Sequence, residues 1–278
     1  METETKEFKE LELKDDFMFS LIMSQKKYCK PFLEIILDME IEKLEYHQSQ
    51  TLIEHRDSGK GIRLDVYVKD EKHTVYDLEM QVRADKKKLP KRSRYYQGMI
   101  DLSLLERGSD YSSLQKAYVI FVCISDPFGY GLHRYTFENI CKEVPELLLG
   151  DDAIKVFLNA GGTADDVSEG MKNLLHYIAT FEPTDDFTRE LDDAVKEARM
   201  DERYTLEYIK WQIKAREIEQ SGYEIGHSEG IAQGVAQERE RSEKLLAEKD
   251  GMLVEKDGML AEKDAIIESL KKQLAALS

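Results

Sequence analysis

The sequence predicts a mixed α/β domain, followed by a helical region and a tail that resembles a coiled coil. Three patterns predict it. Apolar residues recur at helical spacing over residues 17–37; they alternate as in strands over 62–82 and form an unbroken β-rich run at 117–124; and a seven-residue repeat fills the C-terminus.

Phe17, Phe19, Leu21 and Ile22, then Phe32, Leu33, Ile35, Ile36 and Leu37, make apolar helical faces. Ile62, Leu64, Val66 and Val68, then Tyr76, Leu78, Met80 and Val82, predict two strands with one buried face each. The polar stretch from Lys69 to His73 joins them, so an antiparallel hairpin is expected. Residues 92–107 carry Tyr95, Tyr96, Met99, Ile100, Leu102, Leu104 and Leu105 at helical spacing, and Gly108 stands where the helix would end. The run AYVIFVCI, residues 117–124, reads as a strand buried on both faces. Further strands are expected near 134–140 and 154–158.

From Thr163 the pattern turns helical and charged. Met171, Leu174, Leu175 and Ile178 form one helical face, Pro183 breaks the chain, and Asp185 or Asp186 caps a helix expected to run past Trp211. Gly222, Gly226, Gly230 and Gly234 then recur every fourth residue, and the heptads LLAEKDG, MLVEKDG, MLAEKDA and IIESLKK follow. They align Leu246, Leu253, Leu260, Ile267 and Leu274 on one seam. Lys and Asp interrupt that seam, and Gly251 and Gly258 each cost about 1 kcal/mol in a helix interior. Both a coiled coil and a solvated charged helix fit. The expected division is an α/β domain over 1–160, a helical region over 161–220 and the tail over 221–278.

The 278 residues carry 40 Lys and Arg against 56 Asp and Glu, a formal net charge of −16, which excludes bulk affinity for nucleic acid but not a local basic surface. The longest apolar run is too short to cross a bilayer, and the acidic start METETKEFKE has no signal-peptide pattern; no membrane association and a cytoplasmic location are expected. Cys29, Cys123 and Cys141 are too dispersed for a disulfide framework or a thiolate zinc site, and the histidines, His133 included, show no ligand spacing.

Strand alternation puts Asp65 opposite the apolar face of the first strand and Asp77, Glu79 and Gln81 opposite that of the second. In register, Asp65 faces Asp77 or Glu79. Paired carboxylates at that separation can hold Mg²⁺ or Mn²⁺ through oxygen, with coordination left for water and a phosphate. The alternative is a solvated polar face on an ordinary hairpin.

The order helix, hairpin, helix, strand, with Leu13-Lys14-Asp15-Asp16-Phe17-Met18-Phe19, Arg63-Leu64-Asp65-Val66, Asp77-Leu78-Glu79-Met80-Gln81, Lys91-Arg92-Ser93-Arg94-Tyr95-Tyr96-Gln97 and Tyr118-Val119-Ile120-Phe121, resembles the PD-(D/E)XK nuclease superfamily. Within it, the chain resembles the bacterial recombination-promoting nuclease/putative transposase family, over roughly the first half of its length. The resemblance implies a restriction-endonuclease-like mixed sheet flanked by helices, with Asp65 and Glu79 as ligands of Mg²⁺, or Mn²⁺ in its place, and Asp16 as an accessory acid. Asp16 also suits a helix first turn. Gln81 stands where the wider superfamily has a catalytic lysine; a carboxamide can orient water but supplies no positive charge. Asp77 has no role in the family and is either a supporting acid or exposed.

Residues 83–94 hold seven basic side chains, Arg83, Lys86, Lys87, Lys88, Lys91, Arg92 and Arg94, and one acid. This strip follows the expected site and suits phosphate contacts with DNA; a solvated loop balancing the acids is the other reading. Two functions follow: a metal-dependent DNA endonuclease tied to recombination, transposition or defence against mobile elements, or a catalytically silent DNA-binding or interaction module that oligomerises through its tail.

Overall fold

The alternating segments pair as the sequence requires, but around a break. In the computed structural model, which describes residues 6–46, 51–53, 61–82 and 85–275, β4 (Val66–Asp70) and β5 (Val75–Gln81) form an antiparallel hairpin with Val66 opposite Leu78 and Tyr67 opposite Asp77. The turn is built on Asp70, whose carboxylate accepts the Lys72 and Thr74 N–H groups at 2.9 and 2.8 Å and the Tyr76 hydroxyl at 2.9 Å.

The single strand expected over 62–68 is two. β3 (Ile62–Leu64) pairs with β2 (Thr51–Ile53) in a separate two-stranded sheet, while β4 enters the main one. Asp65 lies between them and sends its N–H to a side chain instead of a neighbouring strand, which ends one ladder and frees the chain to enter another.

The main sheet continues from β5 into β6 (Ala117–Cys123) and β8 (Ala153–Asn159), all parallel, with β7 (Arg134–Phe137) antiparallel on one edge and β1 (Leu44–Tyr46) antiparallel to β4 on the other. Helices cover both faces. On one side lie α1 (Asp16–Met23), which packs on β5, α2 (Lys26–Leu37), α4 (Glu169–Thr180) and α5 (Asp186–Met200), packed on one another. On the other, α3 (Leu89–Leu104) brings Leu89, Tyr96, Met99 and Ile100 into one core with Tyr67, Val75, Val119, Phe121 and Phe157.

Two-sided cover overturns the expectation that the hairpin buries one face. Asp77 and Glu79 belong to the α3 side and are fully buried, because α3 roofs the face that alternation alone leaves to water. Other boundaries shift for local reasons. α3 starts three residues earlier than expected, with Pro90 in its first turn, and ends at Leu104, four residues short of Gly108. β7 stops at Phe137.

The helix expected from Asp185 past Trp211 is also two. Asp185 and Thr188 form a reciprocal cap at the start of α5. Asp201 then takes an extended conformation and caps α6 (Glu202–Ala275) through the Arg203 N–H at 2.9 Å. α6 runs without interruption through its six glycines, and Leu246, Leu253, Leu260 and Ile267 are exposed along it. The chain divides into two units, residues 1–209 and 210–278. Among the described residues no helix is long and apolar enough to cross a membrane.

The loop after β6 is braced by one carboxylate. Asp126 accepts the N–H groups of Phe128, Gly129 and Gly131 at 2.9, 2.8 and 2.7 Å and the Tyr135 hydroxyl at 2.9 Å. Desolvation pushes its pKa up, but those donors outweigh it and hold the group down to about 2. A depressed carboxyl stabilises the fold fully above its ordinary value of 3.8 and loses that contribution as pH falls through about 2. The stability gap between wild type and Asp126→Asn, from urea titrations, is therefore expected to narrow between neutral pH and pH ~2.

Candidate active site

Asp65 and Glu79 face each other across the hairpin and hold each other's strand. The Asp65 N–H donates to Glu79 Oε1 at 2.9 Å, and the Met80 N–H donates to Asp65 Oδ2 at 3.1 Å. Of the two partners open to Asp65 by register, it meets Glu79. The exchange works because Asp65, at the break, has a backbone N–H to spare, and because Glu79 at the C-terminal end of β5 reaches back over the α3 face.

Above them, α3 lowers Arg92 into the site. Its Nη2 donates to Glu79 Oε2 at 2.6 Å and its Nη1 to Gln81 Oε1 at 2.7 Å. The guanidinium lies over the Tyr96 ring at 4.8 Å and the Phe121 ring at 5.3 Å, and its side chain keeps 37% exposure while that of Glu79 has none. One cation thus joins a buried carboxylate, a carboxamide and two aromatic faces.

The charge balance is negative. Burial drives both carboxyls well above the usual carboxylate range; Glu79 and then Asp16 push Asp65 further, and Asp77 and Asp16 do the same to Glu79. Arg92 and one backbone N–H to each acid pull the other way. Asp16, at the start of α1, is within this electrostatic reach, and its own carboxyl is raised by burial against the pull of Arg63 and Arg92.

Asp77 is the acid whose environment sequence left open between support and exposure. It is fully buried, and neither oxygen accepts a bond from any N–H or O–H among the described residues. Burial, and then Asp65, push its carboxyl well above the usual carboxylate range against the pull of Arg92.

The basic strip separates into two groups. Arg92 points into the site; Lys86, Lys87, Lys88, Lys91 and Arg94 are exposed, with Lys88 3.6 Å from Asp85. Arg83 lies outside the described residues. Arg63 and Tyr96 were not singled out from sequence as parts of the site. For Tyr96 the signal is its spacing of four from Arg92 on a helix, which stacks one side chain on the other; for Arg63 it is proximity to Asp65 alone.

Among the described residues no group of three or more His, Cys, Asp and Glu side chains is arranged to hold a metal ion. Asp65 and Glu79 nevertheless fit a hard divalent cation. Both offer carboxylate oxygen, the local charge is in surplus, and Mg²⁺ commonly takes one or two protein carboxylates and fills its remaining positions with water and phosphate.

A mixed sheet with helices on both faces and acids at a hairpin break defines a restriction-endonuclease-like fold. Residues 13–142, just under half of the chain, match the family described as PD-(D/E)XK nuclease family transposase. The matched segment contains Asp16, Asp65, Asp77, Glu79, Gln81 and Arg92. Nucleases of this kind are generally dependent on divalent metals. Comparison with curated proteins and with solved structures gave no match.

Because the Asp77 carboxyl has no donor, an asparagine of nearly equal volume can replace it and donate to Glu79 instead. Asp77→Asn is expected to keep or raise the thermal midpoint in chelated buffer. A loss above about 2 kcal/mol in chemical denaturation would show a missed partner.

Proposed function

We propose that the chain is a metal-dependent endonuclease that hydrolyses phosphodiester bonds in DNA, serving recombination, transposition or defence against mobile elements. The observation that carries this reading is the interlocked Asp65 and Glu79 pair, buried and short of positive charge, inside the segment that matches a nuclease family.

Asp65 and Glu79 would hold Mg²⁺, with Mn²⁺ able to replace it. When bound, the cation neutralises charge on a phosphate and lowers the pKa of a coordinated water. The protein's own part is positional. The two reciprocal hydrogen bonds fix the carboxylates in place, Gln81 presents a carboxamide that orients water or hydrogen-bonds a phosphate, and Asp16 adds negative charge near the pair as an accessory acid. Lys86, Lys87, Lys88, Lys91 and Arg94 supply the phosphate contacts outside the site, so affinity for DNA falls with salt. The seam on α6 brings copies of the chain together.

A second reading, a DNA-binding module that does not cleave, has one observation in its favour: both Glu79 oxygens already accept hydrogen bonds, one from Arg92. A supercoiled plasmid separates the two. With Mg²⁺ the wild type is expected to nick it and chelator to stop the reaction, and Asp65→Ala is expected to lower the rate at least ~100-fold. Equal nicking by wild type and variant would sink the assignment of Asp65, and salt-dependent binding without nicking would favour the module. For the tail, deleting residues 239–278 is expected to lower the molar mass measured by light scattering to that of a single chain. An unchanged mass would refute association through the seam.

A further inference from the structure

Hydrolysis of a phosphodiester bonds a water oxygen to phosphorus, breaks the bond to the leaving sugar oxygen, passes a water proton to that oxygen and gathers negative charge on the non-bridging oxygens. A cation of the protein beside those oxygens lowers the barrier. Gln81 cannot be that cation, and no lysine forms an ion pair with Asp65 or Glu79 among the described residues. The group present is Arg92, which reaches the same spot from a different element: Gln81 Oε1 accepts from it at 2.7 Å and Glu79 Oε2 at 2.6 Å.

We propose that Arg92 is a catalytic residue, the source of the positive charge that position 81 does not carry, and that Gln81 is the strut that holds the guanidinium beside the reacting phosphate. This rests on the nuclease reading. Three features of the geometry support it. The fork is fixed at both ends, by a carboxamide and a carboxylate, so little freedom remains to be lost when phosphate binds. The face over Tyr96 and Phe121 is dry, which strengthens the field of the charge. The side chain nonetheless stays 37% exposed, so an anion from solvent can meet it.

The arrangement also sets Arg92 against the metal. Glu79 Oε2 serves the guanidinium, so the cation and Arg92 share one carboxylate, and each weakens the other's hold on it. Loss of Arg92 therefore has opposite effects on two measurable quantities. Cation binding tightens, because a carboxylate oxygen is released from an ion pair, while cleavage slows. A purely structural arginine gives losses in both.

The test combines four proteins: wild type, Arg92→Gln, Arg92→Lys, and Arg92→Gln with Gln81→Lys. Plasmid nicking with Mg²⁺ gives the rate, titration calorimetry with Mn²⁺ alone gives the affinity, and circular-dichroism melting gives the fold. Arg92→Gln is expected to cleave ~100-fold more slowly and to bind Mn²⁺ several-fold more tightly, with Arg92→Lys between it and wild type. The double variant, which moves the charge to position 81, is expected to recover ~10-fold or more of the lost rate. Cleavage by Arg92→Gln at the wild-type rate overturns the proposal, as does a joint loss of Mn²⁺ affinity and cleavage with no recovery in the double variant. A wild type that cleaves with neither Mg²⁺ nor Mn²⁺ brings down the nuclease reading and this proposal with it; an active wild type beside an equally active Arg92→Gln brings down this proposal alone.

Discussion

Two hydrogen bonds between Asp65, at the break before β4, and β5 organise the molecule. The Asp65 N–H goes to Glu79 and the Met80 N–H to Asp65, so each acid is anchored by the backbone next to the other. Hydrogen bonds to charged groups are worth about 1.5–3 kcal/mol each, and here they replace ladder bonds that an unbroken strand would make. The break at Asp65 sends β3 into its own small sheet and β4 into the large one. The same bonds fix the two carboxylates side by side, where burial and mutual repulsion oppose their ionisation. The acidic pair and the strand topology are one feature.

That feature creates a debt of charge which α3 answers in part. Breaking a buried ion pair by removing one partner typically costs about 3–5 kcal/mol, so the bond from Arg92 to Glu79 is as much a packing constraint as an electrostatic one. It sets how α3 lies on the sheet, with Tyr96 and Phe121 under the guanidinium and Phe157 stacked on Phe121 at 5.7 Å. Asp77 lies beneath this roof with no N–H or O–H donor among the described residues. A sheet selected for stability alone has no use for three buried acids on neighbouring strands.

The hairpin, its antiparallel sense and the buried central strand were legible because apolar alternation and an unbroken β-rich run are local signals. The roof was not. Asp77, Glu79 and Gln81 alternate with apolar residues as on a half-solvated strand, and nothing in that spacing tells water from a covering helix. The break at Asp65 was hidden for the same reason, since the apolar pattern of Ile62, Leu64, Val66 and Val68 runs through it unchanged. Asp201 likewise splits one helical pattern into two by a cap that costs a single residue. In the basic strip, seven cations look alike in sequence, and only the helical phase of Arg92, one turn before Tyr96, aims it inward.

The parallel pairing of β5, β6 and β8 carries a consequence for how the chain reaches its native state. The β4–β5 hairpin closes over a few residues, whereas β6 and β8 must cross the molecule before they can pair, and such non-local contacts form late. Until they do, α3 has no floor of Val119, Phe121 and Phe157 on which to settle, and the hairpin's acids stand in water. Burial of the acids is then tied to the late, non-local pairing of the sheet. A nascent chain bearing the whole hairpin but lacking β6 thus holds Asp65, Asp77 and Glu79 unroofed, and burial reaches the three acids only when the parallel strands have paired.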